Sequence, residues 1–404
     1  MPIEQDRVRI LYVSSCWLHD RAYGGQLRAL YLARALRELG SVTVVTVGAH
    51  QVSDEYKALT AAEFDVAPEI QVRHSPVKGW RARARSLTDP EFTNIHGIVA
   101  DERGEDWMKQ SAKEFDLLWF STLRTANSFR NARWRRSVID IGDLPSSMHE
   151  TTSQNQLERQ HWLPRTARTA LLRQHERHVM DRFSVAAVCS EADRRRFTAQ
   201  ERIHVIPNGF SRPASEPIRT PVTPPQIGFI GLLEYFANSD GLTWFVQHCL
   251  AKIQRAVPQL RVRLIGAGTD GPLKPDHPSV DGLGWVEDPK NEIAKWALMI
   301  VPIRMGGGTR VKIAEAFSRK CPLVSTSIGA YGYEVRNREE LRLADDADTF
   351  AAACVELIED RSGAAAMAQR AYTKFLAQWT WDAITPRVLE TAEDCLRRTA
   401  DNDS

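Results

Sequence analysis

The sequence predicts an α/β protein with two doubly wound parallel-sheet domains and a helical tail. Three observations predict it. At 404 residues the chain exceeds what one ordinary core organises. Short apolar runs rich in β-branched residues alternate with helical patterns in two successive series, the order of parallel sheets. Between the series lies "FSRPASEPIRTPVTPPQ" (210–226), rich in proline, serine and threonine and without an apolar period, which reads as a linker.

In the first series, "VRILYVSS" (8–15) reads as a buried strand. "QLRALYLARALRELG" follows, with Leu27, Leu30, Tyr31, Ala35 and Leu39 at helical spacing and Gly40 as a stop. Further strands are expected at 41–48, 115–121, 136–143, 183–190 and 202–209. Ser190, with Asp193 three residues on, signals a capped helix start. In the second series, strands are expected at 227–233, 260–268, 297–303, 321–330 and 341–346, with a short one in "VDGLGWV". "DGLTWFVQHCLAKIQRAVP" reads as an amphipathic helix. Two long helical segments, 347–377 and 382–398, close the chain. The domains are therefore placed at 1–210 and 211–380, with a terminal helix at 381–404.

The hydrophobic fraction of 43% and the charged fraction of 26% are those of a globular protein, and net charge is only +2. Basic residues nevertheless gather in the first half, in runs around Arg73–Arg85, Arg124–Arg136 and Arg159–Arg177. Such runs are either solvated faces or a surface for anionic lipid or substrate. No nucleic-acid-binding motif accompanies them. Six scattered cysteines without a CxxC or Cys/His cluster argue against structural zinc and a disulfide framework, and fit a reducing cytoplasm. No run approaches the roughly 18 apolar residues of a spanning helix, and no leader pattern opens the sequence. Membrane contact is expected to be peripheral, at the inner face.

The most informative stretch is "MIVPIRMGGGTRVKIAEAF" (299–317). A strand that breaks at glycines and feeds a helix presents unpaired N–H groups and the positive helix end to an anion. Gly306, Gly307, Gly308 and Thr309 form that turn, and Arg310 and Lys312 add charges suited to a diphosphate. Glu315 suits a ribose diol, whose hydroxyls it would accept. Together they read as a nucleoside diphosphate site. The alternative is a plain strand–helix turn with its cations in solvent. "GAGTDG" (266–271) matches the dinucleotide pattern, but Pro272 and Pro275 deny it a helix, which removes the dehydrogenase reading. Gly24 and Gly25 repeat the anion logic in the first domain, or form an ordinary loop.

Three blocks resemble the retaining glycosyltransferases of family 4, which have the GT-B fold: "VCSEADRRRF…RIHVIPNGF" (188–210), "IGFIGLLEYFANSDGLTWF" (227–245) with Asn238, Asp240 and Trp244, and 284–335. The resemblance implies two facing Rossmann-like domains with a cleft between them. It implies an acceptor held mainly by the first, where Arg28 and His149 are candidates, and a nucleotide-sugar held by the second. It implies no cofactor and no metal, and a terminal helix that returns to the first domain. Glu315 matches the family glutamate that holds the ribose. The glutamate that touches the donor sugar falls at Gly307. "GLLEYFAN" lacks the Arg and Lys with which many relatives bind diphosphate, so Arg310 and Lys312 are expected to replace them. Gly25, Asn238, Gly307, Gly308 and Thr309 complete the expected donor contacts, and backbone near Trp285–Asp288 is expected to read the base. Where relatives place a histidine at the end of the 136–143 strand, Asp143 is the candidate catalytic group, or a turn cap. The expected activity is sugar transfer to an acceptor hydroxyl in polysaccharide or glycolipid assembly. An epimerase on the same fold, or a non-catalytic nucleotide-sugar-binding subunit, are the alternatives.

Overall fold

The computed structural model describes residues 8–20, 24–49, 52–74, 79–81, 84, 98–129, 132–151 and 165–400. Two compact units divide the chain. The first comprises Met1–Ser146, Gln154–Pro207 and Ile384–Ser404, and the second Ser147–Ser153 and Asn208–Ala383.

The first unit contains β1 (Val8–Ser14), α1 (Gly24–Leu36), β2 (Gly40–Thr46), α2 (Asp54–Glu63), β3 (Asp65–Val66), β4 (Val72–His74) and β5 (Ile98–Ala100). There follow α3 (Glu102–Ser111), β6 (Leu117–Ser121), α4 (Leu123–Asn127) and β7 (Ser137–Gly142). Helix α5 (Pro145–Thr151) spans the division between units; α6 (Arg165–His178), β8 (Val185–Val188), α7 (Glu191–Arg194) and β9 (Ile203–Val205) complete the series. Seven strands form a parallel sheet in the order β3-β2-β1-β6-β7-β8-β9, and β4 pairs with β5 antiparallel. Ile10–Val13 are wholly buried because helices cover both faces of a central parallel strand. Ser190 caps α7 by accepting from the Asp193 N–H, as its spacing predicts. Helix α1 begins at Gly24, so the paired glycines are its first residues rather than a preceding loop.

The second unit contains β10 (Gln226–Ile230), α8 (Phe236–Trp244), α9 (Ala251–Ala256), β11 (Arg261–Ile265), β12 (Val280–Gly282), α10 (Lys290–Lys295) and β13 (Leu298–Val301). It continues with α11 (Val311–Ser318), β14 (Leu323–Ser325), β15 (Arg342–Leu343), α12 (Ala347–Glu359) and α13 (Arg361–Gln378). The last helix, α14 (Trp381–Ala400), lies in the first unit from Ile384 onward. The sheet order is β12-β11-β10-β13-β14-β15, all parallel.

Two helical expectations are corrected. The helix expected from Asp240 starts at Phe236, and a π-helical segment, Phe245–Leu250, joins α8 to α9. The segment 347–377 is two helices, because the Asp360 side chain accepts from the Gly363 N–H and starts a new one. After "GAGTDG" no helix forms before β12, in keeping with its prolines. All six cysteines are free.

Candidate functional site

The Gly-rich turn connects β13 to α11 in the second unit. Gly306 and Gly308 have φ of +105° and +76°, a region that disfavours a Cβ, so the turn needs glycine at both places. Gly307 has ordinary φ but a different constraint. A Cβ there would lie 2.9 Å from the Met148 backbone nitrogen, which belongs to the same unit. The neighbouring Thr151 hydroxyl accepts from the Gly306 N–H at 2.8 Å and donates to its carbonyl at 3.0 Å. Close approach of backbone therefore occupies the place where relatives carry a glutamate.

Arg310 does not face outward. Its guanidinium turns back to donate to the carbonyls of Gly307, Gly308 and Met305, and its own carbonyl accepts from Tyr333 Oη. It stiffens the turn from within. Thr309 accepts from Asn208 Nδ2 at 2.7 Å.

Lys312 is the cation that reaches the strand ends. Its Nζ donates to Asn238 Oδ1 at 2.7 Å and stands 4.3 Å above the Phe229 ring. Asn238, in the first turn of α8, is fixed by donating Nδ2 to the Leu232 carbonyl at 2.8 Å. A Cβ on Gly231 would come within 2.9 Å of Lys312 Nζ, so the ammonium rests on the glycine that ends β10. Burial pushes Lys312 down to about 7, and nearby Arg310 adds to this against the opposing pull of Glu315.

Glu315 is the fifth residue of α11 and only 9% exposed. No hydrogen bond from the described residues reaches its carboxylate. Burial pushes it up to about 7; Arg319 opposes this, Asp288 adds to it, and Lys312 opposes it. Arg319 Nη2 contacts Asp288 at 3.3 Å, while its Nε is buried without a partner. A carboxylate with no hydrogen bond from the described residues and a buried N–H without a partner are what a polar ligand would complete. Trp285, three residues before Asp288 in sequence, is 69% exposed. Asp240 pairs with Arg304, whose guanidinium lies 5.5 Å over the Trp244 ring. Asp240 and Trp244 thus anchor α8 rather than face a ligand.

In the first unit Asp143 is exposed just beyond β7. Gly25 has open space around it. Arg28 is deeply buried: it holds Asp140 with Nε and Nη2 at 2.8 and 2.7 Å, and donates Nη1 to the Ile206 and Pro207 carbonyls. Its donors are committed to protein, fixing the last residues before the chain enters the second unit. His149 is buried on α5, in the part of that helix assigned to the second unit. The structure therefore brings together Asn238, Thr309, Arg310, Lys312 and Glu315, and keeps Gly25, Arg28 and Asp143 in the other unit. Gly231 and Phe229 pack against Lys312 but carry no recognisable signal in sequence.

Among the described residues no group of three or more His, Cys, Asp or Glu is placed to hold a metal ion. No described helix is long and apolar enough to cross a membrane.

Comparison with known proteins bears on the family resemblance and the fold. Residues 224–360 match the family described as glycosyl transferases group 1. No curated protein matches the sequence. Anabaena HepE, solved in complex with UDP, superposes with a TM-score of 0.64 at 17% identity, covering 96% of this chain and all of that one. A sucrose-phosphate synthase from Thermosynechococcus elongatus superposes with a TM-score of 0.65 at 14% identity, covering 97% and 100%. The lipopolysaccharide outer core galactosyltransferase WaaB gives 0.55 at 11%, covering 96% and 99%. The chain has the GT-B fold, and within its second unit residues 224–360 resemble the group 1 glycosyl transferases.

Proposed function

We propose that the chain transfers a sugar from a nucleoside-diphosphate sugar to an acceptor hydroxyl, with retention at the anomeric carbon. The observation that carries this is that Lys312 and Glu315 stand together on α11 behind the Gly-rich turn at its head, the carboxylate with no hydrogen bond from the described residues. Helix end and ammonium would stabilise the leaving diphosphate by preorganised charge. Glu315 would accept from the ribose hydroxyls. Lys312, arriving from α11, would replace the cations missing from "GLLEYFAN". HepE was solved with UDP-glucose, which makes that the first donor to try. Asp143 remains the candidate group at the reacting carbon. The basic first domain supports an anionic or lipid-linked acceptor, in polysaccharide or glycolipid assembly at the inner membrane face.

Gly307 favours one rival, a subunit that binds nucleotide-sugar without turning it over, because the sugar-facing glutamate is replaced by backbone. Thermal unfolding with a panel of nucleoside diphosphates and their sugars, with and without EDTA, tests the site. At a hundred times Kd, one ligand should add about 2.7 kcal/mol. That shift should persist in EDTA and be lost in Glu315→Gln. Product formed from the stabilising donor and an acceptor panel separates enzyme from binder. No shift with any nucleotide would refute the donor site.

A further inference from the structure

A nucleoside-diphosphate sugar is a linear ligand, and α11 gives it a direction. On the reading proposed above, Glu315 takes the ribose and Lys312, three residues earlier, the diphosphate. A helix rises about 1.5 Å per residue, so the two groups lie about one turn apart along its axis. The same direction leads back from Lys312 into Gly306–Thr309. A sugar, on the far side of the diphosphate from the ribose, would meet that turn.

Gly307 offers it no side chain, and a Cβ there would meet the Met148 backbone. Thr151 and Arg310 turn inward. The Thr151 hydroxyl is bonded to both the N–H and the carbonyl of Gly306, and the guanidinium to the carbonyls of Met305, Gly307 and Gly308. Tyr235 comes to the same turn from the loop between β10 and α8. Its Oη stands 3.1 Å from the place that a Cβ of Gly306 would take. The ring packs against the core that contains Met305 and Ile313, and lies 5.4 Å from the Phe236 ring, edge to face. The Tyr235 carbonyl accepts from the Asn238 N–H at 2.8 Å, where α8 begins. Main chain and ring are thus fixed, with the hydroxyl at the turn. A phenol both donates and accepts, so one bond to protein leaves it capacity for another. Such a group on a half-buried, rigid ring suits a sugar hydroxyl, which also donates and accepts.

We propose that Tyr235 Oη bonds a hydroxyl of the transferred sugar. Tyr235 then selects the sugar of the donor, while Lys312 and Glu315 hold its nucleotide part. The proposal rests on the donor-site reading of α11.

The test is calorimetric titration of the full chain, in wild type, Tyr235→Phe and Thr151→Val. The ligands are UDP with UDP-glucose and UDP-N-acetylglucosamine, GDP with GDP-mannose, and ADP with ADP-glucose. Phenylalanine keeps the ring and its packing and removes only the hydroxyl, so the fold should be retained. Tyr235→Phe should weaken the nucleotide-sugar that wild type binds about tenfold, a loss of about 1.4 kcal/mol. The matching nucleoside diphosphate should stay within about twofold of wild type, because it carries no sugar beyond the diphosphate. Thr151→Val loosens the turn without touching Tyr235, and should weaken both ligands alike. Equal weakening of both ligands in Tyr235→Phe, or no change in either, would overturn the proposal and leave the donor site standing. A sugar-selective loss in Thr151→Val as well would place the effect in the turn and overturn it too. If wild type binds none of these ligands, the donor-site reading fails and the proposal falls with it.

Discussion

Replacing Glu315 by Gln should stabilise the empty protein and abolish its response to nucleotide. Ionised Glu315 is buried without a hydrogen bond from the described residues, and its pKa rises from 4.5 to about 7. At pH 8 that displacement costs the folded state about 3 kcal/mol. The sign follows from the folded value being the higher one. Below pH 4.5 the group is protonated in both states and costs nothing. The penalty grows as pH rises towards 7 and is complete above it. Glutamine removes the charge but leaves a buried amide, which costs about 1–3 kcal/mol. A net gain of up to about 2 kcal/mol is expected at pH 8, or a rise of up to about 8 °C in Tm for a unit of this size. Below pH 4.5 the carboxyl's penalty is gone, so the advantage should vanish. Differential scanning calorimetry at pH 4 and pH 8, with and without nucleoside diphosphate, reads all of this. A variant less stable than wild type at pH 8 would mean that Glu315 already has partners that satisfy its charge. Its role as an acceptor held open for ribose would then be wrong.

Lys312 should reverse the proton linkage of binding. Its pKa lies near 7 in the empty site, so at pH 8 a diphosphate should draw a proton onto it. At pH 6, where Lys312 is charged and Glu315 protonated, ribose binding should instead release one. Titration calorimetry in two buffers of different ionisation enthalpy measures the change of sign, and one sign throughout would refute it. Gly231→Ala would put a methyl 2.7 Å from Asn238 Nδ2 and 2.9 Å from Lys312 Nζ. Because it pushes on both partners of the Lys312–Asn238 hydrogen bond, stability should fall by about 1–3 kcal/mol and diphosphate affinity about tenfold; equal affinity in a binding titration would remove Gly231 from the site. Arg28→Met should cost about 3–5 kcal/mol in chemical denaturation, because Asp140 is left buried and unpaired. A loss below 1 kcal/mol would mean that the pair is not structural.

Legibility in the sequence followed the range of the interaction. The Ser190 cap, the β13–α11 turn and the break after "GAGTDG" depend on residues within a few positions of one another, and local chemistry announces them. The Arg28–Asp140 pair joins residues 112 apart in sequence. On an amphipathic helix such an arginine looks like any surface cation, so it suggested an acceptor contact rather than a buried brace. The π-helical segment at Phe245–Leu250 leaves the apolar pattern intact and cannot be seen by periodicity. Arg310 and Lys312 looked alike in sequence. Only the fold separates one that staples its own turn from one that reaches the strand ends.

On the proposed donor reading, that separation supplies a cation where the family resemblance expects an Arg and a Lys in "GLLEYFAN". A lysine on the β10 loop would reach a diphosphate directly. Here the loop is apolar at Leu232 and Leu233, and the charge comes instead from the first turn of α11. Such a lysine needs holding, because its stem crosses β10. Asn238 holds it by a neutral oxygen, and Phe229 lies beneath it. A carboxylate partner would have kept Lys312 charged but cancelled the field meant for phosphate. The neutral partners leave its charge uncompensated, at the expense of a lowered pKa. Gly307 has the same effect: a glutamate there would add negative charge to a turn whose remaining role is to receive an anion.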